Sequence, residues 1–163
     1  MSDTTPDQVL IIYDLLAKLF EDVTVDNGYH HTIDPESILY QHSPQTIKKP
    51  LPIIYIYHDG IEFEGGTSGR FGAAIQYSIV GETGTTKDKD DLLQNLLYLE
   101  SDLLTVLWSD FYLQNTATSQ GKDVSLDHHS ITRINTDGGL LYPKALLEIQ
   151  GEMYFHNITL PLL

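Results

Sequence analysis

Apolar positions recur along this chain with two periods, and each period marks out elements. Val9, Ile12, Leu16, Leu19, Phe20 and Val23 fall at the three- and four-residue spacing of one helix face. Thr5-Pro6-Asp7-Gln8 reads as an N-cap, a proline at the first helical position, an acid in the first turn and a glutamine at the third. The pattern predicts a helix over about 6–23. Asp26-Asn27-Gly28 ends it, because Asn and Gly tolerate the left-handed backbone that stops helices. Tyr29 follows Gly28, and 29–33 and 37–40 read as short strands broken by Asp34-Pro35. In the first of these strands Tyr29 and His31 take one face and His30 the other.

A polar loop over 41–50 leads into 51–57, "LPIIYIY", whose unbroken apolar run fits a strand covered on both faces. Pro52 confines the start of that strand to an edge or an end. The glycine-rich stretch 58–71 connects it to 72–80, where Ala73, Ile75, Tyr77 and Ile79 alternate with Gln76 and Ser78. The two strands read as a hairpin with a long, protruding connection. A loop over 81–87 precedes an acidic helix start at Asp88, Asp90 and Asp91. Leu92, Leu93, Leu96, Leu97, Leu103, Leu104, Leu107 and Trp108 then form a broad apolar face over about five turns. Residues 114–124 are polar, and a strand pair at about 126–135 and 144–156 follows around Thr136-Asp137-Gly138-Gly139. In the second of these strands Ala145, Leu147, Ile149, Gly151, Met153 and Phe155 face one way, and mostly polar residues face the other. The sum is an α+β fold: a mainly antiparallel sheet with two helices packed on one face.

Length, charge and composition narrow the function. At 163 residues the chain suits a single domain, 1–163, with an apolar tail at 157–163. It has no cysteine, which removes disulfides, thiolate metal sites and a cysteine nucleophile. The acidic first residues lack the basic start and apolar core of a signal peptide, and no apolar run reaches the ~20 residues a membrane span needs. A soluble, intracellular protein is expected, with no membrane partner. The net charge is −14, from 23 acids against nine Lys and Arg, and the basic residues are scattered. A surface dedicated to holding DNA is therefore not expected, whereas an acidic protein that lets DNA pass without gripping it is compatible.

The chemical candidates are few. His30-His31 and His128-His129 are adjacent pairs, and neighbours along a strand point to opposite faces. One histidine from each pair, with His156, could converge as a zinc or nickel set, but no HxH, HxxxH or HExxH spacing supports it. Exposed or interface histidines are the plainer reading, and neither a metal nor another cofactor is expected. Gly65, Gly66 and Gly69 lack the Gly-Lys-Ser/Thr of a phosphate loop, since Arg70-Phe71 follows. Asp88, Asp90 and Asp91 lack the rest of a calcium loop, and no serine lies in a nucleophile elbow. Glu62 and Glu64 share a strand face without a partner motif. Nothing argues for catalysis. Two features argue for assembly: the apolar end Ile158-Thr159-Leu160-Pro161-Leu162-Leu163 and ten tyrosines, a residue type favoured at interfaces.

The order of elements carries a resemblance. The "LLAKLFED" helix, the "DNGYHHTI" turn into a strand, the proline-led "LPIIYIY" strand and a glycine-bearing hairpin come first. A leucine-rich helix and the "ALLEIQGEMYF" strand complete the set. Together, over about 8–157, they resemble the tail terminator and tail completion proteins of tailed bacteriophages. The extra histidine and the loops at 41–50 and 114–124 depart from the simplest members. The resemblance implies a non-enzymatic virion protein, assembled in the host cytoplasm and placed at the head-proximal end of the tail. Such a protein forms a hexameric ring that caps the tail tube, stops its growth and joins it to a neck or head-completion protein, while DNA passes through. Candidate contacts between subunits or with the tube are Glu62, Glu64, Gly65, Gly66, Gly69, Arg70, Tyr154, His156, Leu160, Leu162 and Leu163. The alternatives are another neck or tail component, such as a head-completion or tube protein, and a histidine-dependent metalloenzyme.

Overall fold

The computed structural model describes residues 5–41, 48–64, 70–124, 126–136 and 140–159. Helix α1 runs Thr5–Phe20, α2 Lys89–Ser109 and the short α3 Gln114–Ser119. The strands are β1 Ile38–Tyr40, β2 Ile53–Glu64, β3 Arg70–Gly84, β4 His128–Asn135, β5 Leu140–Leu141 and β6 Lys144–Thr159. They make one sheet in the order β1-β2-β3-β6-β4, with β5 paired to β6. Only β1 runs parallel to its neighbour β2; the other pairs are antiparallel. This is the α+β fold that the two periods predicted.

Period-two alternation decides what each face of the sheet does. Ile54, Ile56, Ala73, Ile75, Tyr77, Ile79, Ala145, Leu147, Ile149, Met153 and Phe155 lie on one face and are buried beneath the helices. Helix α1 adds Ile12, Leu16, Leu19 and Phe20 to this core, and α2 adds Leu92, Leu96, Leu99, Leu103, Val106 and Leu107. The helix sits tight on the sheet at Gly81, where an added Cβ would lie 2.9 Å from Leu99. The opposite face carries Tyr57, Gln76, Ser78, Val80, Glu148, Gln150 and Glu152. Among the described residues no helix packs there.

Several expectations change. Residues 29–33 are not a strand: the chain passes through a 3-10 turn, Val25–Asn27, capped by Gly28 at φ 95° in the left-handed region, and then an irregular segment. The main-chain N–H groups of His30 and His31 are satisfied by a side chain of α2, and those of Tyr29 and Ile33 by the Thr24 and Val23 carbonyls, rather than by a neighbouring strand. A second 3-10 turn, Pro35–Ser37, replaces the break at Asp34-Pro35, with Asp34 accepting from the Glu36 N–H at 3.0 Å. Strand β3 continues through 81–84, which had read as loop. There Glu82 is buried, accepts from the Tyr55 hydroxyl at 2.7 Å and pairs with Lys144 at 3.2 Å. Residues 114–119, read as loop, form α3. Asp110 holds its start through the Asn115 and Thr116 N–H groups at 3.2 and 2.7 Å. The broad leucine face of α2 divides: Leu93, Leu97 and Trp108 are exposed, whereas Leu99 and Val106 join the core.

Candidate functional site

The adjacent histidines are brought together by an acid in the middle of α2. Asp102 lies on the core-facing side of that helix, almost wholly buried, between Leu99 and Leu103. Gly28 turns the chain back over α2, so that the next residues cross this carboxylate. Asp102 Oδ1 accepts from the main-chain N–H and Nδ1 of His30, both at 3.0 Å. Oδ2 accepts from the N–H of His31 at 2.9 Å and from its Nδ1 at 3.0 Å. A carboxylate accepts, so each ring donates from a protonated Nδ1. The His30 ring, half-exposed, also stacks flat on Tyr98 at 4.1 Å. The two imidazoles therefore do not take opposite faces of a strand; both hang from one carboxylate.

A shallow cleft of about 380 Å³ opens beside them, walled by His30, His31, Leu51, Pro52, Asn95 and Tyr98 among others. It adjoins a second hollow of about 390 Å³ that reaches Lys87, Asp91 and Lys144. Most charged groups in these walls already have partners. Asp91 accepts from the Thr85 hydroxyl, and Lys144 pairs with Glu82. An Nδ1–H held by a carboxylate is the usual second shell of a metal-bound histidine. Two imidazoles alone fall short of a zinc set, and among the described residues no group of three His, Asp or Glu side chains converges.

His129 has a different role. It sits buried beneath the sheet, with Nδ1 donating to the Phe111 carbonyl at 2.6 Å and Nε2 accepting from the Tyr77 hydroxyl at 2.5 Å. Phe111 stacks on it at 4.1 Å. Burial lowers its pKa to about 4, against the opposing pull of the Phe111 carbonyl, and His128 lowers it slightly further. Burial likewise drives the Tyr77 hydroxyl well above the usual phenol range. This neutral pair is a structural tie. His58 is also engaged, its Nδ1 lying 2.5 Å from the Tyr13 hydroxyl of α1.

The residues singled out for assembly fall mostly at one end of the sheet. Glu62 is exposed on β2 opposite Ala74, and Ala74 is in turn opposite Tyr154 of β6. Glu64 pairs with Gly72, and Arg70 with Thr159, through the backbone ladder. His156 belongs to β6 at the same end. Tyr154 packs beneath Gly72, where a Cβ would lie 2.2 Å from its hydroxyl oxygen. Gly65, Gly66, Gly69, Leu160, Leu162 and Leu163 lie outside the described residues. At the turn, Asn27 donates its side-chain N–H to the Asp22 carbonyl at 2.8 Å, and the Tyr29 ring packs on the core. The sequence did not single out Asp102. The one signal for it was an acid set into the apolar series Leu99, Leu103 and Val106.

Compared with models of known protein families and with curated protein sequences, the chain matches none. Among the described residues no helix is long and apolar enough to cross a membrane.

Proposed function

We propose that this chain is a structural, non-enzymatic tail terminator of a tailed bacteriophage. Copies form a ring that caps the head-proximal end of the tail tube, stops its polymerisation and joins it to the neck. The observation that carries the reading is the one-sided sheet. Both long helices pack on one face and leave the other lined by Tyr57, Gln76, Gln150, Glu148 and Glu152. A ring assembled from such wedges has a helical outer layer and a polar, net-acidic sheet surface to turn toward its lumen. Phosphates would be repelled rather than bound there. The order of helix, hairpin, long helix and closing strands also fits the resemblance. The histidines fit it too, since His30, His31, His58 and His129 are occupied in tying elements together.

The test is to mix the purified chain with purified tail tubes and image the mixture by negative stain. The proposal expects a ring with a central hole at one tube end, and tubes that no longer elongate when tube protein is added. Free polymerisation of the chain into tubes would favour the tube-protein reading instead. Failure to associate with tube ends would overturn the terminator reading.

A further inference from the structure

The chain has five asparagines, and Asn27 is the one followed by a glycine. That dipeptide is chemically labile. Asparagine is a thermolabile residue, and a following glycine places no side chain between its own nitrogen and the neighbouring amide carbon. Asn27 and Gly28 are both exposed, at the turn that sends the chain back over α2. The turn nonetheless engages the groups that would react. The Gly28 N–H donates to the Val25 carbonyl at 3.0 Å, and the Asn27 side-chain amide donates to the Asp22 carbonyl at 2.8 Å. The Asn27 N–H is bound by the carbonyl and the hydroxyl oxygen of Thr24, both at 3.1 Å. Clamps lie on either side. The Val25 N–H donates to the Thr32 hydroxyl at 2.9 Å, and beyond Gly28 the His30 and His31 N–H groups end on Asp102.

We infer that Asn27 is a site of spontaneous deamidation and that the Asp102 joint governs its rate. The reaction starts from an opened turn. The Gly28 nitrogen leaves the Val25 carbonyl, gives up its proton and attacks Asn27 Cγ. The N–Cγ bond forms, the Cγ–Nδ2 bond breaks, and the side-chain nitrogen departs with that proton as ammonia. Water then opens the resulting succinimide ring at one of its two carbonyls. Opening at Cγ leaves aspartate; opening at the main-chain carbonyl leaves isoaspartate, with the chain running through Cγ and longer by one carbon. Neither product restores the turn as it was. A carboxylate only accepts, so position 27 keeps no side-chain donor for the Asp22 carbonyl. The new negative charge also stands beside Asp26, in a chain whose net charge is already −14. The extra carbon of isoaspartate shifts Gly28 from the φ of 95° at which it caps the turn. Modification therefore holds open the segment whose opening permitted it, and His30 and His31 lose their fixed path to Asp102. This inference does not depend on the tail reading.

The experiment incubates the chain at neutral pH and follows all five asparagines by peptide mapping, which separates asparagine, aspartate and isoaspartate. A free peptide of sequence 24–32 gives the rate without the fold. Thr32→Val removes one clamp and Asp102→Ala the other, and neither alters the labile dipeptide. The inference expects Asn27 to convert before any other asparagine. Its rate in the folded chain should fall about 30-fold or more below that of the peptide, because a reaction that waits for local opening is slowed by the opening equilibrium. Each variant should convert about fivefold or more faster than wild type, as a lost contact makes opening more frequent. Circular dichroism shows whether the variants are folded. Where Asp102→Ala is not, Asp102→Asn, which keeps one acceptor oxygen, takes its place. Conversion of wild type as fast as the peptide, a different asparagine converting first, or a folded Asp102 variant converting at the wild-type rate would each overturn the inference.

Discussion

Removing the Asp102 carboxylate should be the most damaging single change in the region that joins α1 to the sheet. Asp102→Ala deletes the acceptor of four contacts made by two consecutive residues. The His30 ring is half-exposed and can turn to water, so its Nδ1 contributes little to the cost. The two main-chain N–H groups cannot turn away, because Gly28 and the Ile33 N–H bond to the Val23 carbonyl hold the segment at both ends. A donor left unpaired away from water costs about 1–3 kcal/mol, so the pair amounts to about 2–6 kcal/mol. For a domain of this size, that lowers the melting temperature by roughly 5–15 °C. The assay is urea unfolding followed by circular dichroism, with His30→Ala/His31→Ala as the control. That double variant keeps both main-chain donors on Asp102 and should cost about 1 kcal/mol, mainly from the lost Tyr98 stack. The reasoning is refuted if Asp102→Ala costs less than about 1 kcal/mol, or if the double histidine variant costs as much.

Three further outcomes follow from the geometry. His129 is held neutral with a pKa near 4, below its ordinary value, so the unfolded chain binds the extra proton between about pH 6.5 and 4. Its contribution is complete above pH 6.5 and drains away as pH falls toward 4, by about 3 kcal/mol at most; chemical unfolding at each pH should show a shallower acid slope for His129→Phe than for wild type. Gly151→Ala would set a Cβ 2.4 Å from the Tyr77 hydroxyl oxygen, and the His129 bond keeps that ring from retreating. A loss of about 1–3 kcal/mol in urea is expected, and an unchanged midpoint would contradict the packing described. Gly28→Ala meets no atom within 4 Å, so its cost of about 1 kcal/mol comes from the positive φ alone, and Gly28→Asn should recover part of it in the same assay.

Periodicity made most of the elements legible, because each depends on its own residues. The alternation of Ala73, Ile75, Tyr77 and Ile79, and that of 145–155, placed β3 and β6 with the correct core face. Where the sequence reading failed, a distant partner decided the structure. Residues 29–33 had strand-like composition, but the acceptor for the His30 and His31 N–H groups is some 70 positions away. Glu82-Thr83-Gly84 looked like loop because a buried acid is costly, and nothing local announces that Tyr55 and Lys144 will meet it. The division of the α2 leucines was partly legible. Leu92, Leu96, Leu99, Leu103 and Val106 follow a steady 4-3-4-3 step, from which Leu93 and Leu97 are offset by one residue. Of the residues singled out for assembly, Glu62 and Glu64 had read as part of the connection after 51–57; the structure carries β2 through them, and their closeness to Tyr154 depends on the β3–β6 register.

Strand order also constrains how this chain reaches its fold. β6 is inserted between β3 and β4, and its partners lie far back in the chain, with Ile75 opposite Met153 and Gly81 opposite Leu147. Until β6 arrives, one edge of β3 is open and β4 has no partner in the sheet. Contacts this distant in sequence must close large loops before they are rewarded, which makes folding slow compared with a helical domain of equal size. On a ribosome the early product is α1, the β2–β3 hairpin and α2, an intermediate with an unpaired apolar edge. That edge is the point at which a growing chain is exposed to wrong partners, including other copies of itself.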